Sequence, residues 1–196
     1  QMLRLGLMEI SSGFLLLMAL LFYFDQNGVI WLALLACFLH ECGHWAIIHL
    51  CGGKVCRIRV RAVGAEMVLD PAHCLSYRRE WLCTIAGPAT NLLLAAAGAW
   101  AGASLWAGLN FILGCFHLLP VLPLDGGRCC YLLGCMVTEE ERARRLMQIV
   151  SLILSVLFTI VGAYLFFSTG GNPTLLIVGG WIFSAFGKQK DLSTLV

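Results

Sequence analysis

Apolar residues run along this chain in six long stretches, and the polar residues gather in the short connections between them. The stretches cover Met8 to Phe24, Val29 to Leu50, Trp81 to Ala101, Leu105 to Met136, Leu146 to Phe167 and Thr174 to Phe186. About 20 consecutive apolar residues cross a bilayer as a helix, so each stretch predicts a membrane crossing, the sixth being short for one. The first closes on the turn Asp25-Gln26-Asn27-Gly28, and no small-residue cleavage site follows it, so it is not read as a removable signal. Pro120, Pro123 and Gly126-Gly127 interrupt the fourth.

Between the second and third stretches the period changes. Arg57, Arg59 and Arg61 alternate with Ile58, Val60 and Ala62, the two-residue period of a strand that is charged on one face. Gly64 ends it, and Ala65 to Leu69 return as a second strand. The same residues also suit a basic loop that sets topology or touches anionic lipid. The predicted fold class is an all-α polytopic membrane protein of about six transmembrane helices, with a short β-strand or hairpin between the second and third.

Composition agrees. Of 196 residues, 60% are apolar and 12% charged, about half the charged share of a soluble domain. A water-soluble globule or a secreted scaffold cannot keep that much apolar surface from solvent. A net charge of +2 leaves no footprint for nucleic acid. With six crossings, Arg4, Lys54, Arg57, Arg59, Arg61, Arg78, Arg79, Arg142, Arg144, Arg145, Lys188 and Lys190 share one side, with Arg128 near it. The opposite loops, near Asp25, Ser104 and Gly170, carry no Lys or Arg. Positive residues collect in cytoplasmic loops, so a multi-pass protein with both termini in the cytoplasm is expected. Ten cysteines without a CxxC pair, several within apolar runs, predict reduced and mostly buried thiols.

The second stretch contains His40-Glu41-Cys42-Gly43-His44, an H-E-x-x-H. On a helix, residues four apart share a face, and two imidazoles so placed reach one Zn²⁺ at about 2.0–2.1 Å each. Glu41, next to the first ligand, sits where it takes a proton from the attacking water. A chain of this composition carries the motif by chance about once in two hundred. Ionisable groups inside a membrane helix are costly and mark function by default, whereas helix-to-helix hydrogen bonding does not demand this spacing. Catalytic zinc takes three protein ligands. His49 lies about 140° around the helix from His44, and His73 stands in a loop beside Pro71. Asp125 is the better third ligand: it sits in Pro120-Val121-Leu122-Pro123-Leu124-Asp125-Gly126-Gly127, at a depth similar to that of the histidine pair. The alternative is an Asp125–Arg128 ion pair in a cytoplasmic-side turn.

H-E-x-x-H on one membrane helix with P-x-x-P-L-D-G-G on a later one resembles the site-2 proteases, the intramembrane zinc metalloproteases (peptidase family M50). Ala86-Gly87-Pro88-Ala89-Thr90-Asn91 is similar to that family's G-P-x-x-N at the opening of a helix. The likeness spans about Trp31 to Cys135. It implies that His40, His44 and Asp125 bind zinc, that Glu41 is the catalytic base and that Asn91 approaches the substrate or the metal-bound oxygen. His117 stands where the family has Asn, three residues before Pro120, and either takes over a hydrogen bond to substrate or competes for the metal.

The layout most resembles the sporulation type, stage IV sporulation protein FB. That implies one integral domain over residues 1–196, core 29–136, in the bacterial cell membrane; the connection between the second and third stretches is too short for a PDZ insert, and the CBS domain often fused to the sporulation type is not expected here. The implied substrate is a membrane-associated or single-span protein, in sporulation a sigma-factor precursor, and an inhibitory membrane protein is an implied partner. A helical substrate must unwind before attack, so an edge strand near Ile58 and Val60 is expected to hold it extended by strand addition. The proline- and glycine-broken segment at Asp125 is expected to admit water. The competing class is non-enzymatic, either a metal transporter or an inactive protease-like scaffold. A transporter would show several intramembrane acidic groups or inverted repeats, and an inactive relative would have lost Glu41 or a ligand. A lipid-modifying metalloenzyme is the remaining reading.

Overall fold

The structure is a computed structural model describing residues 2–6, 8–25, 27–60, 64–169 and 179–180. The chain divides into two compact units, Gln1–Phe116 and a second that begins at His117.

The first unit opens with two antiparallel strands, β1 (Met2–Leu5) and β2 (Met8–Ser11). Met8 therefore begins a strand rather than a membrane helix. The apolar run conceals Glu9, and Met8-Glu9-Ile10-Ser11 alternates with the period of a strand. Helix α1 (Ser12–Phe24) follows directly, its first turn capped by the Ser11 hydroxyl, which accepts from the Phe14 N–H at 3.2 Å. Its 13 residues rise about 20 Å, short of a full crossing. Helix α2 (Val29–Leu50) has the predicted bounds, and the Asp25 carboxylate accepts from the Val29 and Ile30 N–H groups at 3.1 and 3.0 Å, satisfying its first turn.

The predicted hairpin is present as β3 (Val55–Val60) and β4 (Ala65–Leu69); Arg61 and Ala62 lie outside the described residues. The four strands form one sheet in the order β1-β2-β3-β4, with β2 parallel to β3 and the other pairs antiparallel. Charge sets the register. Arg59 lies opposite both Glu9 and Glu66, with N···O separations of 3.2 and 3.7 Å, and Arg57 reaches Glu9 at 3.3 Å. On the other face, a register shift between Val55 and Arg57 lets both Val55 and Ile58 pack against Ile48, Met67 and Cys83. That cluster fastens the sheet to the last turn of α2. Beyond β4, Asp70 caps a single 3₁₀ turn (Pro71–His73), and the Ala72 N–H bond holds its carboxyl below the ordinary carboxylate range.

Helix α3 (Tyr77–Trp100) starts four residues before the predicted Trp81, because the polar segment Tyr77-Arg78-Arg79-Glu80 forms its first turn. The predicted fourth crossing is two helices, α4 (Ser104–His117) and α5 (Asp125–Val137), separated by the proline-bearing segment. In the second unit α6 (Glu140–Thr169) extends six residues ahead of the predicted Leu146. Glu141 bonds Arg144 at 2.6 Å and Arg145 at 3.0 Å, pairs three and four residues apart that support an exposed helical turn. Apart from Gly179 and Gly180, the predicted sixth crossing lies outside the described residues.

Three described helices, Val29–Leu50, Tyr77–Trp100 and Glu140–Ser168, are long and apolar enough to cross a membrane. Large apolar side chains such as Leu16, Trp31, Phe38, Leu93, Ile160 and Phe167 face outward, a surface suited to lipid rather than water. None of the ten cysteines, all of them among the described residues, forms a disulfide, but only Cys83 and Cys129 are buried, while Cys37, Cys56, Cys74, Cys115 and Cys130 are exposed. The expectation of mostly buried thiols fails because an apolar run faces lipid as readily as protein.

Candidate metal centre

Within the first unit, α2 carries His40 and His44 on the face turned towards α3, and they are 2% and 9% exposed. The four-residue spacing stacks the rings edge to face, with centroids 4.8 Å apart. Each ring is held at Nδ1 by an acceptor on α3. His44 donates from Nδ1 to the Cys83 carbonyl at 2.7 Å, and His40 donates from Nδ1 to the Asn91 side-chain oxygen at 2.5 Å. A neutral imidazole has one N–H, so committing it at Nδ1 turns the Nε2 lone pair inward on both rings. The two Nε2 atoms lie 3.1 Å apart.

That separation tests whether a metal fits. Two nitrogens each about 2.0–2.1 Å from a tetrahedral ion are about 3.3 Å apart, so the pair is set close to a chelating geometry. The space in front of it is kept by Gly87. A Cβ built there would fall 2.2 Å from His44 Nε2 and 2.7 Å from His40 Nε2, so any side chain would fill the site. Glu41, next to His40 on α2, is half-buried. Of the other histidines, His49 stacks on Trp45 with centroids 5.0 Å apart, and His73 sits beside Asp70 at 3.4 Å. Neither joins the pair, as their positions in sequence predict.

The G-P-x-x-N segment lies in the interior of α3, with Pro88 inside the helix, rather than at its opening. Asn91 is fully buried, and its bonds go to His40, to the Ala36 carbonyl at 3.2 Å and to Asn110 at 2.9 Å. Its side chain therefore holds the His40 ring. The edge position expected of Ile58 and Val60 is corrected. They lie in β3, which pairs with β2 on one side and β4 on the other, so neither has a free backbone edge for strand addition.

In the second unit His117 and Asp125 meet, Nδ1 to Oδ2, at 2.8 Å. Asp125 is the first residue of α5, where the positive end of the helix dipole favours a carboxylate. The segment between them folds back on the start of α5: a Cβ on Gly126 would lie 2.2 Å from the Leu118 carbonyl oxygen, and one on Gly127 2.4 Å from the Val121 carbonyl carbon. Val121, Leu122 and Leu124 are buried, and Ser151 Oγ accepts from the Leu122 N–H at 2.9 Å. The segment is thus closely packed against the start of α5, while the His117 and Asp125 side chains stay 25% and 20% exposed. Sequence reasoning misses the Cys83 carbonyl and Asn110, and reads Gly87 only as part of the G-P-x-x-N motif. Asn110, a lone amide within an apolar stretch, leaves a signal.

No family model matches the chain, and no curated protein matches it. Among solved structures it is similar to the site-2 protease from Methanocaldococcus jannaschii, with 19% sequence identity and a TM-score of 0.72, over 100% of this chain and 98% of that one. The fold is therefore that of a site-2 protease, and together with the apolar helices it marks a membrane protein.

Proposed function

We propose that this chain is an intramembrane zinc metalloprotease that hydrolyses a peptide bond of a membrane-embedded or membrane-associated protein. One observation carries the reading: two buried imidazoles on one apolar helix, each fixed at Nδ1 with its Nε2 turned to a common point, with Glu41 between them in sequence. The likeness in fold to a solved site-2 protease supports it.

In this proposal His40 and His44 from the first unit and Asp125 from the second hold one Zn²⁺. His117 holds the Asp125 carboxylate through the 2.8 Å contact, which limits its rotation and directs its other oxygen. A bound zinc ion supplies Lewis acidity, lowering the pKa of a water towards about 7 and polarising the scissile carbonyl. Glu41 takes the proton from the attacking water and returns it to the leaving amine. Gly87 keeps the approach to the imidazoles clear, and the apolar surroundings strengthen each charge interaction.

The finer assignments rest on the sequence layout: six crossings forming one domain, both termini in the cytoplasm, a bacterial cell membrane, an inhibitory membrane partner and a sporulation-type sigma-factor precursor as substrate. The decisive experiment replaces Glu41 with Gln. Cleavage of a co-expressed single-span substrate falls by about 10²- to 10⁴-fold while bound zinc is unchanged. Retained cleavage removes Glu41 from the role of base, and loss of zinc makes it a ligand instead.

A further inference from the structure

Asn110 has no place in any motif, yet it is fully buried in an apolar helix, 19 residues along the chain from the amide it bonds. Its side-chain N–H donates to the Trp106 carbonyl on its own helix at 3.0 Å. Its oxygen accepts from Asn91 Nδ2 at 2.9 Å, and Asn91 Nδ2 also donates to the Ala36 carbonyl at 3.2 Å. The two backbone carbonyls can only accept: Trp106 O settles Asn110, and Asn110 Oδ1, as the nearer of two acceptors beside Ala36 O, settles Asn91. Turning Asn110 over would set its oxygen against Trp106 O and its NH₂ against the NH₂ of Asn91. Turning Asn91 over would set its oxygen against both Ala36 O and Asn110 Oδ1. With both amides fixed, Asn91 offers an oxygen to His40, so His40 must carry its hydrogen on Nδ1.

We propose that Asn110 is a positioning residue for His40: through Asn91 it fixes the Nδ1–H tautomer of that imidazole and leaves Nε2 to bind metal. This rests on the metalloprotease reading for its use, though not for its geometry. His44 is the internal control, because its tautomer is set separately by the Cys83 carbonyl. Outer hydrogen bonds of this kind orient metal-bound imidazoles and raise affinity.

Asn110→Leu removes the acceptor while keeping the branched shape and the number of side-chain heavy atoms. Asn110→Asp restores the pattern, because a carboxyl buried among apolar groups stays protonated; its O–H donates to Trp106 O and its carbonyl oxygen accepts from Asn91. Two readouts apply to the full-length chain in detergent. Chelator competition with zinc is expected to show affinity weakened about 10- to 100-fold in Asn110→Leu and within about threefold of wild type in Asn110→Asp. Ring ¹⁵N spectra of the metal-free protein are expected to show His40 as the Nδ1–H tautomer in wild type and Asn110→Asp, mixed in Asn110→Leu, with His44 unchanged throughout.

Equal weakening by Leu and Asp would reduce Asn110 to packing and overturn the proposal. So would an Nε2–H tautomer of His40 in the wild-type protein, which needs no variant to fold. If the wild-type chain binds no zinc, the protease reading fails, while the tautomer spectra still decide the relay by themselves.

Discussion

His40 and His44 stand on one unbroken helix, and each ring is gripped at Nδ1 by an acceptor from α3. His117 and Asp125 stand on either side of a proline-bearing segment and grip one another. The first pair is 2% and 9% exposed, whereas the side chains of the second are 25% and 20% exposed. One donor set is fixed by the packing around it; the other is a carboxylate in contact with an imidazole across a proline-bearing segment. A buried pair preset near chelating distance binds with little reorganisation, so most of the metal affinity should reside in α2. The half-exposed pair should contribute the third ligand and adjust more readily to substitution.

Four expectations would break or sharpen that contrast, taken from the largest effect downward. His40→Ala and His44→Ala should each weaken zinc binding by more than about 100-fold, beyond the range of outer-shell losses, by chelator competition; similar losses from Asp125→Asn would erase the asymmetry. Gly87→Ala, whose Cβ would fall 2.2 Å from His44 Nε2, should cost about 10- to 100-fold, comparable with loss of an outer-shell partner, while circular dichroism keeps its helical signal; unaltered binding would show that the site lies elsewhere. Asp125→Asn should reduce affinity about tenfold and His117→Ala by less, and the double variant should be no worse than Asp125→Asn, because contacting residues are not additive. Additive losses would make His117 an independent ligand. Glu9→Gln, which removes a buried carboxylate paired with Arg57 and Arg59 in the sheet, should leave zinc content unchanged and lower unfolding stability by about 1–3 kcal/mol, measured by detergent titration.

The elements legible in sequence were those with one dominant signal. A long apolar stretch bounded by Asp25 and Gly52 marked α2 at its true ends, and period-two alternation marked β3 and β4. Helix ends built from charged turns, such as Arg78-Arg79-Glu80 before Trp81 and Glu140 to Arg145 before Leu146, were lost because hydropathy ends where lipid ends and a helix need not. β2 was hidden inside an apolar run, since one Glu among Met and Ile scarcely lowers its average. The imidazole pair was readable because both ligands lie within one turn of helix. The role of Asn110 was not, and Gly87 was marked only as a motif residue, because both roles depend on which helix packs against which, and no local spacing records that. The interior position of β3 depended in the same way on a parallel partner, β2, nearly 50 residues away in sequence, as the Glu9–Arg59 contact shows.

The central claim is that His40 and His44 hold one divalent ion, and metal analysis of the purified full-length chain tests it most directly. Mass spectrometry should find about one zinc per wild-type chain and less than about a tenth of that in the His40→Ala/His44→Ala double variant. Equal zinc in the two proteins, or none in the wild type after loading, would contradict the account.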